Sequence, residues 1–287
     1  MRINHNISSM ITQGALYQVN TDMSKMLQQL STGLRINSAS DDAAGLGISE
    51  NLTTQVNGTA QANRNAQDGI AALTIAEGAG NEISSILQRM RELAVQSSND
   101  TLTSTERSYT ESEFQALTNE IDRIAKVTNY NRQELLSSTA ARFGNGAAGS
   151  VLWVDANDKV GTDSITITID TLTTSALSLS NAAGVSQTHL TTQVAAVSAI
   201  SALDDAINSV NTMRSDMGAY INRLEHAINN LAISNTNQQS AESLIRDVDF
   251  ANETSQFTRN QILTQSATAM LAQANQLPQS VLTLLQA

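Results

Sequence analysis

The sequence predicts a mainly α fold: an antiparallel bundle of long coiled-coil helices, closed by the N- and C-terminal helices, with a small β-hairpin region mid-chain. Three observations predict it. The 287 residues include one Pro and only 3% aromatic side chains, whereas a doubly wound or barrel enzyme of this size carries more aromatic core and more turn formers. Apolar residues recur at alternating spacings of four and three over long stretches, the pattern of helix–helix packing. One stretch mid-chain instead alternates strictly, the period of a half-buried strand.

The first helix starts its stripe with Ile3, Ile7 and Met10, and Met23, Leu27, Leu30 and Leu34 resume it after a one-step offset. The next seam is Leu73, Ala76, Gly80, Ile83, Leu87, Met90 and Ala94. Asn99 to Ser104 reads as a helix–helix turn, and Phe114, Leu117, Ile121 and Ile124 form a third seam beyond it. Ser164 to Asp170 alternates as a strand, with Val151 to Val154 as its partner and the polar run at 155–158 as turn material. The longest seam is Leu203, Ile207, Val210, Arg214, Met217, Ile221, Leu224, Ile228 and Leu231, in which Arg214 is the one polar intruder. At 1.5 Å per residue it spans roughly 42 Å, the length of a rod. The last helix carries Leu263, Ala267, Met270, Ala274, Leu277, Val281 and Leu284. Pro278 falls inside this pattern and removes one helix hydrogen bond, which predicts a kink or break there.

Charge narrows the function. A net charge of −11 argues against a nucleic-acid binder. No apolar run exceeds four residues, so no membrane insertion is expected, and the first residues lack the apolar segment of a signal peptide. Without Cys there is no disulfide framework, zinc–thiolate site or thiol nucleophile. Both ends are depleted of charge. Residues 1–40 carry only Arg2, Asp22, Lys25 and Arg35, and residues 254–287 only Arg259. Polar and apolar residues remain there, as expected of surfaces that become buried in a partner.

No motif supports catalysis. Gly144 to Gly149 fits G-x-G-x-x-G, but the dinucleotide fingerprint needs a strand before it and a helix after it, and here a strand follows. A plain turn is the better reading. Asp155, Asn157, Lys159, Gly161 and Asp163 resemble a calcium loop only superficially, since Lys159 occupies a ligand position and no Glu closes the loop. His5, His189 and His226 lie far apart, without an H-E-x-x-H pair. We therefore assign no catalytic, cofactor or metal residue and read the chain as a non-enzyme.

The seams lead to a resemblance. The run LSTGLRINSASDDAAGL over Leu30–Leu46 resembles the signature of bacterial flagellins. So do LQRMRELAVQ over Leu87–Gln96, EIDRI over Glu120–Ile124, QIL over Gln261–Leu263, and MLAQANQ over Met270–Gln276 followed by Val281-Leu282. The resemblance covers residues 1–140 and 195–287. It implies a short, core-type subunit of the flagellar filament, exported unfolded through the flagellar secretion channel and working in motility. Residues 1–45 and 240–287 would form the inner filament core, 46–140 and 193–239 the helical rod of the outer core, and 141–192 a β-hairpin and short variable region.

By that resemblance the chain's main partner is itself, as a helical homopolymer. The assembly stripe would be Ile3, Ile7, Met10, Leu27, Leu30, Leu34, Leu263, Met270, Leu277, Val281 and Leu284. Export chaperone, filament cap and junction proteins are further implied partners. The innate immune flagellin receptor is another, which in some flagellins reads an Arg, a Leu and a Glu that fall here on Arg89, Leu93 and Glu113. The filament would be extracellular, with a periplasmic flagellum as the other arrangement. A hook–filament junction protein shares the N-terminal pattern, but the MLAQANQ run with Val281-Leu282 favours the filament subunit. A coiled-coil signalling scaffold leaves the mid-chain strands unexplained, and a metalloprotease inserted in a flagellin would need the missing H-E-x-x-H.

Overall fold

The computed structural model describes residues 5–137, 149–157, 159, 162–180 and 188–286, with the side chains of 277–286 outside that description. Five helices are present among them: α1 (Ile7–Thr32), α2 (Ala43–Ser97), α3 (Ser104–Val127), α4 (Gln193–Arg246) and α5 (Phe250–Gln286). Four short strands lie between α3 and α4: β1 (Asn129–Tyr130), β2 (Gln133–Glu134), β3 (Ser150–Trp153) and β4 (Ser164–Ile167). The chain divides into two compact units, Met1–Thr54 with Thr236–Ala287, and Gln55–Asn235.

The unit of residues 55–235 holds the hydrophobic core. On α2 the predicted seam is buried residue by residue, from Leu73 through Ala76, Ile83, Leu87 and Met90 to Ala94. On α3, Phe114 and Ile121 are fully enclosed, while Leu117 and Ile124 pack partly buried against the same cluster. The turn between these helices matches the predicted one, and its end is fixed by a capping box. Glu106 N–H donates to the Thr103 hydroxyl, and Thr103 N–H donates to the Glu106 carboxylate at 2.7 Å.

The α4 seam differs from the prediction in four of its nine members. Its deepest stripe is Ala196, Ala199, Leu203, Ala206, Val210, Met213, Met217, Leu224 and Leu231. Leu203, Val210, Met217, Leu224 and Leu231 are common to both readings. Ile207, Ile221 and Ile228 sit half-buried on the flank, and so does Arg214. The physical reason is side-chain size. Small residues at 199 and 206 allow close packing at the centre of the contact, and the branched isoleucines seal its edge. Arg214 is thereby a border residue, not an intruder.

β3 and β4 pair antiparallel as expected, with Val151 opposite Thr166 and Leu152 opposite Ile165. Leu152 settles against α2 at Gly69, where any Cβ would collide with its δ-methyl. β4 is shorter than the alternation predicts, ending at Ile167, yet burial still alternates to Asp170. The following segment returns to the core: Thr174 donates through N–H and hydroxyl to the Asp122 carboxylate, at 2.9 and 3.0 Å. The β1–β2 hairpin was not legible. Its two-residue loop places Asn131 and Arg132 at φ of +50° and +64°, the primed-turn geometry. Strands of two residues have no period to detect, and an Arg in a left-handed conformation is not the usual signal.

In the other unit α1 packs against α5. Asn6 caps α1 by accepting from Ser9 N–H at 3.1 Å, and Gly33 ends it in the left-handed conformation, φ +73°. α5 runs through Pro278 to Gln286, so the predicted break is absent. A proline already has a helical φ and removes a single hydrogen bond, which a long helix tolerates. The G-x-G-x-x-G run lies mostly outside the described residues, as do Asp158, Val160 and Gly161 of the calcium-like loop.

Candidate assembly surface

Each terminal helix has two stripes, and the α1–α5 contact uses one of them. On α1 the half-buried positions Ser9, Thr12, Leu16, Val19, Met23, Met26 and Leu30 form an unbroken three-four repeat, flanked by half-buried Asp22 and Gln29. On α5 the matching positions are the half-buried Glu253, Phe257, Asn260, Thr264, Ala267 and Leu271 and the buried Ala274, with half-buried Gln256 beside them. This seam is small and partly polar, and its polar members bond across it. Asn6 Nδ2 donates to the Ala274 carbonyl at 2.8 Å, Ser9 Oγ to Asn275 Oδ1 at 2.8 Å, and Asn260 Nδ2 approaches Met26 Sδ at 3.3 Å. Apolar spacing alone finds Met23, Leu30, Ala267 and Ala274 of such a seam and elsewhere lands one position away, on Met10, Leu27, Leu263 and Met270.

The predicted assembly stripe lies mostly on the other face and is largely open, whereas Met23, Ala267 and Ala274 of the same apolar repeats fall in the α1–α5 seam. Ile7 is 55% exposed, Met10 62%, Leu27 50%, Leu263 45% and Met270 62%. Ile11, Tyr17 and Ile262 are exposed beside them. Leu30 and Leu34 depart from the predicted set because they are half-buried within the unit: Leu30 belongs to the α5-facing seam and Leu34 bridges to Asp247. Ile3 and the side chains of Leu277, Val281 and Leu284 lie outside the described residues. Asp22 and Lys25 are the only charged residues of α1, and Glu253 and Arg259 the only ones of α5. Large apolar side chains left uncovered on charge-poor helices mark an interaction surface.

The signature run at 30–46 acquires roles that sequence reasoning left unassigned. Residues 33–35 zip against the α4–α5 junction: Arg35 N–H donates to the Arg246 carbonyl at 2.7 Å, Val248 N–H to the Gly33 carbonyl at 3.0 Å, and the Arg35 guanidinium to the Ile245 carbonyl at 2.6 Å. Ile36 plugs the base of this turn, 1% exposed. Asp41 gathers the connector. It pairs with Lys25 Nζ at 2.9 Å and accepts from the N–H groups of Ser38 and Asn37 at 3.0 and 3.2 Å. The Lys25 ammonium first, then these two amides, hold its carboxyl down to about 2.

The sign of the pH effect follows from that depression. The contacts stabilise the connector fully above the ordinary Asp value of 3.8 and are lost as pH falls from there towards about 2. Protection factors of the Asn37 and Ser38 amides should therefore drop between pH 4 and pH 2. Asp41→Asn should lower them already at neutral pH and erase the acid step, a result that an unchanged titration would contradict.

A second candidate surface lies on α2 and α3. Arg89 donates to Glu113 at 2.9 Å and to Glu92 at 3.0 Å, and Arg89 and Glu113 are about half exposed. Leu93 does not join them at the surface. It is 2% exposed, in the core beneath, because it lies on the inner side of α2 next to Ala94. Among the described residues no group of three His, Cys, Asp or Glu could hold a metal ion, and no helix is long and apolar enough to cross a membrane. His189 instead meets Glu111 at 3.2 Å.

Known proteins share both terminal regions. Residues 3–141 match the bacterial flagellin N-terminal helical region, and residues 200–285 the bacterial flagellin C-terminal helical region. The chain belongs to the bacterial flagellin family. This flagellin is 46% identical over 285 residues to a flagellin of Halalkalibacterium halodurans, covering 99% of this chain and 100% of the relative. It is 43% identical over 288 residues to the flagellar filament 33 kDa core protein of Treponema phagedenis, again covering 99% and 100%. The flagellin of Bacillus subtilis is 42% identical over 307 residues, with 99% and 100% covered. In fold it is similar to a putative flagellar hook-associated protein from Vibrio parahaemolyticus, at TM-score 0.55 and 19% identity, covering 72% of this chain and 99% of that one. The family makes this flagellin a structural subunit of the flagellar filament.

Proposed function

We propose that the open faces of α1 and α5 are the surfaces through which this flagellin polymerises. One observation carries the reading: each terminal helix spends one stripe on its partner within the chain and leaves a second, apolar and charge-poor stripe uncovered. The two open faces differ in composition, so they meet heterologously between copies, and a heterologous contact that does not close builds an open helical polymer. Residues 1–45 and 240–287 then form the inner filament core, 46–140 and 193–239 the outer core, and 141–192 the hairpin region. Neither terminal helix is strongly stable alone, which suits export of the unfolded chain and couples ordering to assembly. An export chaperone would cover the same faces before assembly, and junction and cap proteins would meet them at the filament ends. The filament is extracellular in this reading, and cell fractionation distinguishes that from a periplasmic one. Hydrogen exchange tests the surface: amides of α1 and α5 should be weakly protected in dilute monomer and strongly protected in filaments, and equal protection in both states would overturn it.

The Arg89–Glu113 pair supports a narrower reading as the contact for an innate flagellin receptor, with Leu93 placing the helix from within. Exposed guanidinium and carboxylate groups offer directional, charge-assisted bonds. Arg89→Ala should weaken signalling by monomer in a receptor reporter assay while leaving filaments intact. Full signalling by that variant would remove Arg89 from the contact.

A further inference from the structure

Two long apolar ribbons fit one another almost as well after sliding by seven residues, because their pattern repeats at that interval. On α4 the recurring set is Leu203, Val210, Met217, Leu224 and Leu231, and on α2 it includes Leu73, Gly80, Leu87 and Ala94. Apolar burial alone therefore does not select one axial alignment of α4 against α2. A polar residue at one position of such a ribbon can select it.

Arg214 is such a residue in the middle of the α4 ribbon; the other polar residues that cross to α2, Asp204 to Arg91 and Asn235 to Thr59, lie towards its ends. The neighbours of Arg214 at the same flank position, Ile207, Ile221 and Ile228, are all isoleucine. Its Nη2 donates to Glu77 Oε1 at 3.0 Å. Its stem lies over Gly80, one turn further along α2, where a Cβ would sit 3.4 Å from Arg214 Cγ and 3.8 Å from Cδ. Its Nε is enclosed and has no hydrogen-bond partner among the described residues, so the guanidinium depends on Glu77. The side chain thus takes a carboxylate and, three residues on, a position with room for no more than a methyl group. α2 offers this combination at one place. Seven residues earlier the two positions are Ile70 and Leu73, and seven residues later Ser84 and Leu87. Neither supplies a charge partner, and both replace the notch with a leucine.

We propose that Arg214, reading Glu77 and the Gly80 notch, sets the axial register of α4 against α2. Its role is alignment more than stability, since the pair is a third exposed on each side and such pairs stabilise little.

The absence of Cys makes the register directly measurable. Spin labels on Gln88→Cys and Thr212→Cys, both exposed positions offset along the helix axes, report the α2–α4 alignment in the full-length monomer after refolding from denaturant. The parent should give one distance population. Arg214→Ile, which completes the isoleucine row, should keep the monomer's thermal midpoint at or above the parent's while raising a second, displaced population at least tenfold. A slide of one heptad moves the helices by roughly 10 Å, well beyond the width of a single population. Gly80→Leu should displace the population when Arg214 is present, and adding Arg214→Ile should relieve the clash. A lower midpoint with one unshifted distance in Arg214→Ile would make the pair a simple stabilising bridge and overturn the proposal. An unchanged midpoint with one unshifted distance would overturn it as well.

Discussion

Leu263→Asp is expected to abolish seeded polymerisation and motility while leaving the monomer folded. Leu263 lies on α5, 45% exposed and off the stripe that faces α1, so its replacement removes no seam contact. In the proposed assembly the same side chain would be covered by a neighbouring copy. Losing the apolar burial that remains there removes roughly 1–2 kcal/mol. An unpaired carboxylate in a covered surface adds about 3–5 kcal/mol. Each 1.4 kcal/mol is about tenfold in the concentration needed to assemble. The critical concentration should rise by about a thousandfold or more, beyond any practical protein concentration. Circular dichroism of the monomer should match the parent, and Leu263→Met, apolar and close in volume, should still polymerise. Ordinary filaments from Leu263→Asp at parental concentration would show that this face is not an assembly surface.

The opposite behaviour is expected of Phe114→Ala. Phe114 is the largest fully buried side chain of the molecule's described residues and packs from α3 into the core of the unit spanning residues 55–235. Removing its ring leaves a cavity in a rigid cluster, which costs about 3–5 kcal/mol. For a unit of this size each kcal/mol moves the thermal midpoint by about 2–4 °C, so a drop of roughly 10 °C is expected. Trp153, the sole tryptophan, lies in that unit on β3, so its fluorescence follows the transition. Below the lowered midpoint the variant should still assemble, because no residue of the α1 and α5 faces has changed. A midpoint within a degree of the parent would mean that the site collapses around the missing ring. Together the two variants separate folding of the core from joining of the copies.

The sequence alone determined the helices, their order and the α2 seam, because a three-four repeat maintained over many turns has one structural meaning and tertiary packing has no reason to override it. The strict alternation from Ser164 located β4, the apolar run Val151 to Val154 located its partner β3, and the flagellin signatures pointed to the family. What spacing could not decide was which of two adjacent stripes each helix would use at home. On α1 and α5 the chain closes on Ser9, Thr12, Ala267 and Ala274, and keeps Met10, Leu263 and Met270 outside. Small and hydrogen-bonding residues allow the closer approach, while the large apolar ones stay uncovered. On α4 the same competition moved Arg214 from the seam to its border, where it can reach Glu77. The connector was opaque for another reason: the depressed carboxyl of Asp41 depends on Lys25 and two backbone amides, and their convergence exists only once the turn has formed. Periodicity is a property of one helix, whereas the choice of face and the company of a charge belong to the pair.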